Sequence, residues 1–289
     1  MEPSRLSAPT FEPTVTVLAS APAVLAPPDL TYASLRGRFP GLDAAQAVCW
    51  TGSTAAGWGN ALSDIDLYAF ADVEIELPCD DTSETWPRDD RSGVRWSNWM
   101  GRYGDACVDL KIWPLDALEA ILAPYRSTDE PESCGLSDDM QDFIYRVSIA
   151  VALRDDDAFF VRARSAILDS CYNRALARRL KILAENQLND VAGQLQSGDV
   201  SSARLSATLA ASTTADHCLL LAGDLCRRPK WLMRRLKARP ECGITVEEYR
   251  QVVLNGQRPD ESEKDCAVRT ARWAQEHLVR VEPLALSSR

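Results

Sequence analysis

The chain has 289 residues, 46% of them hydrophobic and 26% charged, with a formal net charge of −10. That is the balance of an ordinary globular protein with enough chain for two lobes, and its acidity disfavours long nucleic acid as a partner. No run of eighteen apolar residues occurs, so no membrane-spanning helix is expected.

Residues 1–28 are rich in Pro, Ala, Ser and Thr and read as a flexible tail with one strand at Thr14–Leu18. They lack a basic start followed by an apolar core, so no secretory leader is expected. A short helix is expected over Tyr32–Arg38 or Leu42–Gln46. The apolar run Ala47–Thr51 reads as a buried strand that ends on a Gly52-Ser53 turn. Further strands are expected at Ile65–Ala69, Val73–Leu77, Val94–Trp99 and Ala106–Trp113, with residues 78–93 as a polar connection. A helix at Leu115–Leu122 precedes a linker-like break at Ser127–Ser133. Beyond it the pattern is helical: Asp138–Leu153, Ala158–Gln196 as two helices or one bent one, Ser201–Cys226, Trp231–Lys237, Val246–Asn255 and Glu261–Val279. The fold class is therefore α+β, a mixed-sheet domain over 29–126 followed by an α-helical bundle over 127–289, with the site in the cleft between them.

Nine cysteines are scattered with no Cys-x-x-Cys pair, and there are only two histidines, His217 and His277. This usage argues against a disulfide framework or a zinc site and for reduced thiols, hence a cytoplasmic protein.

The informative stretch is Gly52-Ser-Thr-Ala-Ala-Gly-Trp-Gly-Asn-Ala-Leu-Ser-Asp-Ile-Asp-Leu67. A small-residue turn after a strand lets backbone N–H groups approach a phosphate closely. Residues i and i+2 of a strand share a face, so Asp64 and Asp66 would stand side by side with Ile65 turned to the core. Carboxylates that close repel, and a divalent cation between them relieves the repulsion. Phosphate grip with paired metal ligands suits nucleotidyl or phosphoryl transfer. Asp109, flanked by Val108 and Leu110 on a later strand, is placed to join the pair as a ligand or to serve as base, and both roles stay open. A surface ion pair between Asp109 and Lys111 is the plainer alternative.

Gly-Ser, then Ser63-Asp-Ile-Asp-Leu67, then a strand carrying Val108-Asp-Leu110 resembles the polymerase-β-type nucleotidyltransferase superfamily, and most of all its kanamycin and streptomycin/spectinomycin adenylyltransferases. The resemblance implies a nucleotidyltransferase lobe in which Asp64, Asp66 and Asp109 are the catalytic, metal-binding acids. It implies Mg2+ as cofactor, and Gly52, Ser53 and Ser63 on the nucleotide. In the streptomycin/spectinomycin branch the third acid is a glutamate acting as base, one methylene longer than Asp109. A weaker match at Arg228-Pro-Lys-Trp231 implies that Lys230 reaches back to the triphosphate, with His217 where relatives carry an arginine.

The resemblance implies transfer of AMP from ATP, the default nucleoside triphosphate, to a hydroxyl or amine of a small-molecule acceptor, with pyrophosphate released. An aminoglycoside-like antibiotic or a natural-product intermediate would be that acceptor. The alternatives are transfer to an RNA end or a protein side chain, and an inactive nucleotide-sensing homologue. Charge bears on the choice. Residues 1–126 hold 9 Lys/Arg against 18 Asp/Glu, whereas 127–289 hold 23 against 24. An acidic front lobe suits a metal-nucleotide and a cationic small molecule and makes nucleic acid an unfavoured partner. The basic run 227–239, with seven Lys/Arg and no acid, is the best support for a macromolecular acceptor. Within it Arg234, Arg235, Lys237 and Arg239 are expected to be solvated. Trp58, Trp96, Trp99 and His217 are expected to pack in the core.

Overall fold

The computed structural model describes residues 30–60, 62–78, 84–89, 93–104, 106–126 and 134–286. The expected tail with its strand at Thr14–Leu18 and the linker at 127–133 lie outside the described residues. Helix α1 (Tyr32–Arg38) starts on a reciprocal cap in which the Thr31 and Ser34 hydroxyls accept each other's backbone N–H. A 3-10 turn over Pro40–Ala44 leads into strand β1 (Ala47–Thr51), all five residues of which are buried. The one-turn helix α2 (Gly52–Ala55) follows directly. Strand β2 (Ile65–Phe70), β3 (Glu84–Asp89), β4 (Arg95–Tyr103) and β5 (Ala106–Trp113) come next, then helix α3 (Ala117–Leu122) and helix α4 (Asp138–Ser148).

The next element corrects the sequence reading. The helix expected over Asp138–Leu153 stops at Ser148, and Val151–Asp155 form strand β6, antiparallel to β1. Val151-Ala-Leu153 fits either period, and pairing with the otherwise open edge of β1 decides for strand. The strand expected at Val73–Leu77 does not form either. Both neighbours of β2 are taken by β1 and β5, so Ile75 and Leu77 pack against the core from irregular chain. The edge strand is β3, within the expected polar connection, with Pro87 at a position an edge tolerates.

Among the described residues the sheet has six strands in the order β3-β4-β5-β2-β1-β6, mixed because β2 and β5 run parallel. One face carries Val48, Trp50, Leu67, Val108 and Leu110 under α1. The other carries Tyr68, Phe70 and Trp113 under α4, whose Met140, Phe143, Ile144 and Val147 follow the helical i, i+3, i+4, i+7 stripe. Trp99 packs edge-on against Phe39, and Trp96 stacks on Trp113 with centroids 4.6 Å apart, so both tryptophans are core residues.

The helical part begins with α5 (Phe159–Asp169) and α6 (Tyr172–Ser197), two helices separated at Ser170-Cys171, where the Ser170 hydroxyl donates to Ile167 O. Helix α7 (Val200–Leu221) buries Ala203, Ala207, Ala210, Ala211 and Ala215. Those small side chains let it lie close to both α6 and α10 (Glu263–Leu286). Between α7 and α10 come a 3-10 turn at Pro229–Trp231, helix α8 (Leu232–Ala238), helix α9 (Val246–Tyr249) and a π turn at Arg250–Leu254. No helix among the described residues is long and apolar enough to cross a membrane.

Arg235 on α8 also departs from the expectation. It is not solvated but 1% exposed, with Nη1 2.6 Å from Asp216 Oδ1 and Nε 2.7 Å from Asp224 Oδ2. One face of a short basic helix is drawn inward because two carboxylates, Asp216 on α7 and Asp224 just after it, meet it. Arg234 and Lys237 remain exposed.

Candidate active site

The end of β1 and the turn after it set the site. Gly52 has φ +76°, and a Cβ placed on it would lie 2.0 Å from Asp66 Oδ2 and 2.8 Å from Arg146 Nη1. The turn therefore brings bare backbone against a carboxylate and a guanidinium, which only glycine permits. Gly52→Ala is expected to destabilise the fold by about 1–2 kcal/mol from the left-handed backbone alone, and further because Asp66 must move. A urea titration compared with wild type checks this; an unchanged midpoint would contradict it.

Strand register fixes the acids. Thr51 pairs across to Asp66, and Asp66 pairs in parallel with Asp109. Asp66 and Asp109 therefore point to one face from adjacent strands, whose spacing is about 4.8 Å. Asp64 precedes β2 and is exposed. Asp109 Oδ2 is 3.7 Å from Lys111 Nζ, while its Oδ1 is buried with no hydrogen-bond partner among the described residues. Burial pushes the Asp109 carboxyl above its ordinary value, and the charges of Asp66 and Asp64 add to this against the pull of Lys111 and Arg146.

Helix α4 supplies what the sequence reading did not single out. The Thr51 hydroxyl donates to Arg146 O at 2.6 Å, tying the end of β1 to this helix. Arg146 Nη1 is 2.7 Å from Asp66 Oδ1, and Arg146 Nε donates to Asp142 Oδ2 at 2.7 Å. Asp142 is also gripped by Arg228, with Nε donating to Oδ1 at 2.9 Å and Nη2 at 2.7 Å from Oδ2. Burial alone would raise the Asp142 carboxyl, yet the hydrogen bond from Arg228 and the charges of Arg146 and Arg228 outweigh it and hold the group below the usual carboxylate range. Charges thus alternate Asp66, Arg146, Asp142, Arg228 from the sheet to the loop before α8. In the sequence, Asp142 and Arg146 have the i, i+4 spacing of an ordinary surface pair, which is why they drew no notice.

Gly52, Ser53, Asp66, Arg146, Arg228 and Lys230 line one pocket between the sheet and the helical part. Lys230 stands on the Pro229–Trp231 turn with Nζ 5.1 Å from the Trp231 ring, and that ring is 6.0 Å from Trp58. Ser63 is not brought to this pocket; its hydroxyl accepts Asn60 N–H at 2.9 Å and closes a turn. His217 is buried, with Nδ1 2.9 Å from Ala177 O, as a core histidine. A neighbouring pocket shares Asp142 and Arg228 and adds Asp138, Asp139 and Asp216.

Among the described residues no three His, Cys, Asp or Glu side chains form a ready-made metal cage. The residues nevertheless fit a divalent cation in kind. Their donors are hard carboxylate oxygens, two of them on adjacent strands, and the buried Asp109 Oδ1 lacks a partner.

No protein-family model matches the chain, and no curated protein sequence matches it. Among solved structures it is similar to a nucleotidyltransferase-like protein from Exiguobacterium sibiricum, at 10% identity and a TM-score of 0.43, over 82% of this chain and 69% of that one. A likeness at that level assigns no chemistry to this chain.

Proposed function

We propose that the protein is a nucleotidyltransferase that moves AMP from ATP to a hydroxyl or amine of a small cationic acceptor and releases pyrophosphate. The observation that carries the reading is the pocket in which the Gly52-Ser53 turn, Lys230 and Asp66 face one another across the cleft, with Asp109 beside Asp66. Backbone N–H at the Gly52-Ser53 turn and the Ser53 hydroxyl would bind phosphate oxygens, and Lys230 would neutralise them as a point charge from the opposite wall. Asp64, Asp66 and Asp109 would hold Mg2+, which when bound withdraws charge from the phosphorus under attack. Asp109 would take the acceptor's proton. The adjoining pocket is lined by Arg227 and Arg228 as well as by four aspartates, and it offers the exposed Asp138 and Asp139 to an acceptor bearing amines, as an aminoglycoside-like antibiotic does.

The test is pyrophosphate release with magnesium and each nucleoside triphosphate against a panel of small acceptors, with Asp64→Asn/Asp66→Asn as the blank. Acceptor-dependent release that disappears in the blank supports the reading. Release only with RNA ends, or with none of the acceptors, counts against it.

Asp109 gives a second expectation. Its folded-state affinity for a proton exceeds the unfolded one, so its ionised form costs stability, and that cost grows as pH rises from the ordinary carboxylate range through the raised value. Asp109→Asn is expected to hold or raise the melting temperature at neutral pH while lowering turnover about 100-fold or more. A melting curve beside the pyrophosphate assay reads both; a fall in both together would point to a structural role.

A further inference from the structure

A carboxylate proposed to hold a cation is here held by an arginine. Asp66 Oδ1 lies 2.7 Å from Arg146 Nη1, and both side chains are largely buried, 14% and 13% exposed. Nη1 makes no aligned hydrogen bond among the described residues, so the contact with Asp66 is an ion pair fixed by charge and distance rather than by hydrogen-bond direction. The same nitrogen stands against the Gly52 backbone, where a Cβ would approach it to 2.8 Å, and so borders the turn offered to phosphate. The other anchor of the guanidinium, Asp142, bridges Arg146 and Arg228 as a phosphate oxygen pair would, within the same pocket.

We propose that Arg146 is an exchangeable counter-ion: it neutralises Asp66 until a divalent cation takes that carboxylate, and the guanidinium then turns to the donor's phosphates. Asp142 serves as the internal anion that the phosphates replace. The proposal rests on the metal-nucleotide reading above. It predicts that cation and phosphate affinities respond to Arg146 with opposite signs, which loss of packing alone does not produce.

The test measures Mn2+ alone by spin resonance and inorganic tripolyphosphate alone by calorimetry, on the full chain. Arg146→Gln is expected to bind Mn2+ about tenfold tighter and tripolyphosphate about tenfold weaker, since each exchange involves one charge-assisted contact. Asp142→Asn, which leaves the buried arginine in place, is expected to show the mirror image: weaker Mn2+ and tighter tripolyphosphate. Affinities that fall together or stay unchanged in both variants, while wild type binds both probes, overturn the exchange alone. Absence of Mn2+ and tripolyphosphate binding from wild type and both variants overturns the nucleotidyltransferase reading and the exchange with it.

Discussion

Asp66→Asn is expected to reduce acceptor-dependent pyrophosphate release by about 1000-fold or more. A bound metal contributes several kcal/mol of charge stabilisation in transfer reactions, and each 1.4 kcal/mol or so is tenfold in rate. The substitution keeps the side chain's shape and removes the charge that faces Arg146 and Asp109. Its effect on folding should be smaller than its effect on rate. Arg146 retains Asp142 at 2.7 Å, so the loss is confined to one charge-assisted contact, about 1.5–3 kcal/mol. Turnover and a urea midpoint measured on one preparation separate the two effects. Retention of activity within tenfold of wild type would remove Asp66 from the proposed chemistry.

Arg235→Met is expected to give the largest loss of stability, about 3–5 kcal/mol, because it strands two carboxylates away from water. Asp216 lies 2.6 Å and Asp224 2.7 Å from the guanidinium that would be lost. The sign of the pH dependence follows from Asp216. Burial already raises its proton affinity above the ordinary value, and Arg235 is the main opposing pull. With that pull gone the folded state binds a proton still more tightly than the unfolded one. The deficit should therefore be greatest at neutral and alkaline pH and shrink as pH falls toward the ordinary carboxylate range. Denaturant titrations across pH check it, and restoring part of the stability with Asp216→Asn in the same chain would tie the loss to the stranded charge. A variant as stable as wild type at pH 7 would contradict the argument.

Much of the chain could be read from local pattern. Ala47–Trp50 is an apolar run and became the buried strand β1; Val108, Leu110 and Ile112 alternate with Asp109 and Lys111 and became β5 with the two charged residues on one face. Ala158–Gln196 resolves into the two helices α5 and α6, and α7 forms where a helix was expected over Ser201–Cys226 but ends at Leu221. Less local features were not legible. Val151–Asp155 has no feature that distinguishes a strand from the end of a helix, and Val73–Leu77 alternates like a strand with no partner left for it. Arg235 sits in a run of basic residues that looks solvent-facing until Asp216 and Asp224 are brought to it from the preceding helix and loop. Arg146 and Asp142 look like a surface pair until α4 is laid across the sheet.

The sequence alone determined the alternation that puts Asp66 and Asp109 on their strand faces and the glycine that lets chain pass beside them, because residues i and i+2 and backbone freedom are local properties. Only the tertiary structure decided that Asp66 stands beside Asp109, that Lys230 and Ser53 line one pocket, and that Arg146 rather than solvent meets Asp66. Those pairings join residues distant along the chain. Their energies depend on burial and register, which no stretch of sequence carries by itself.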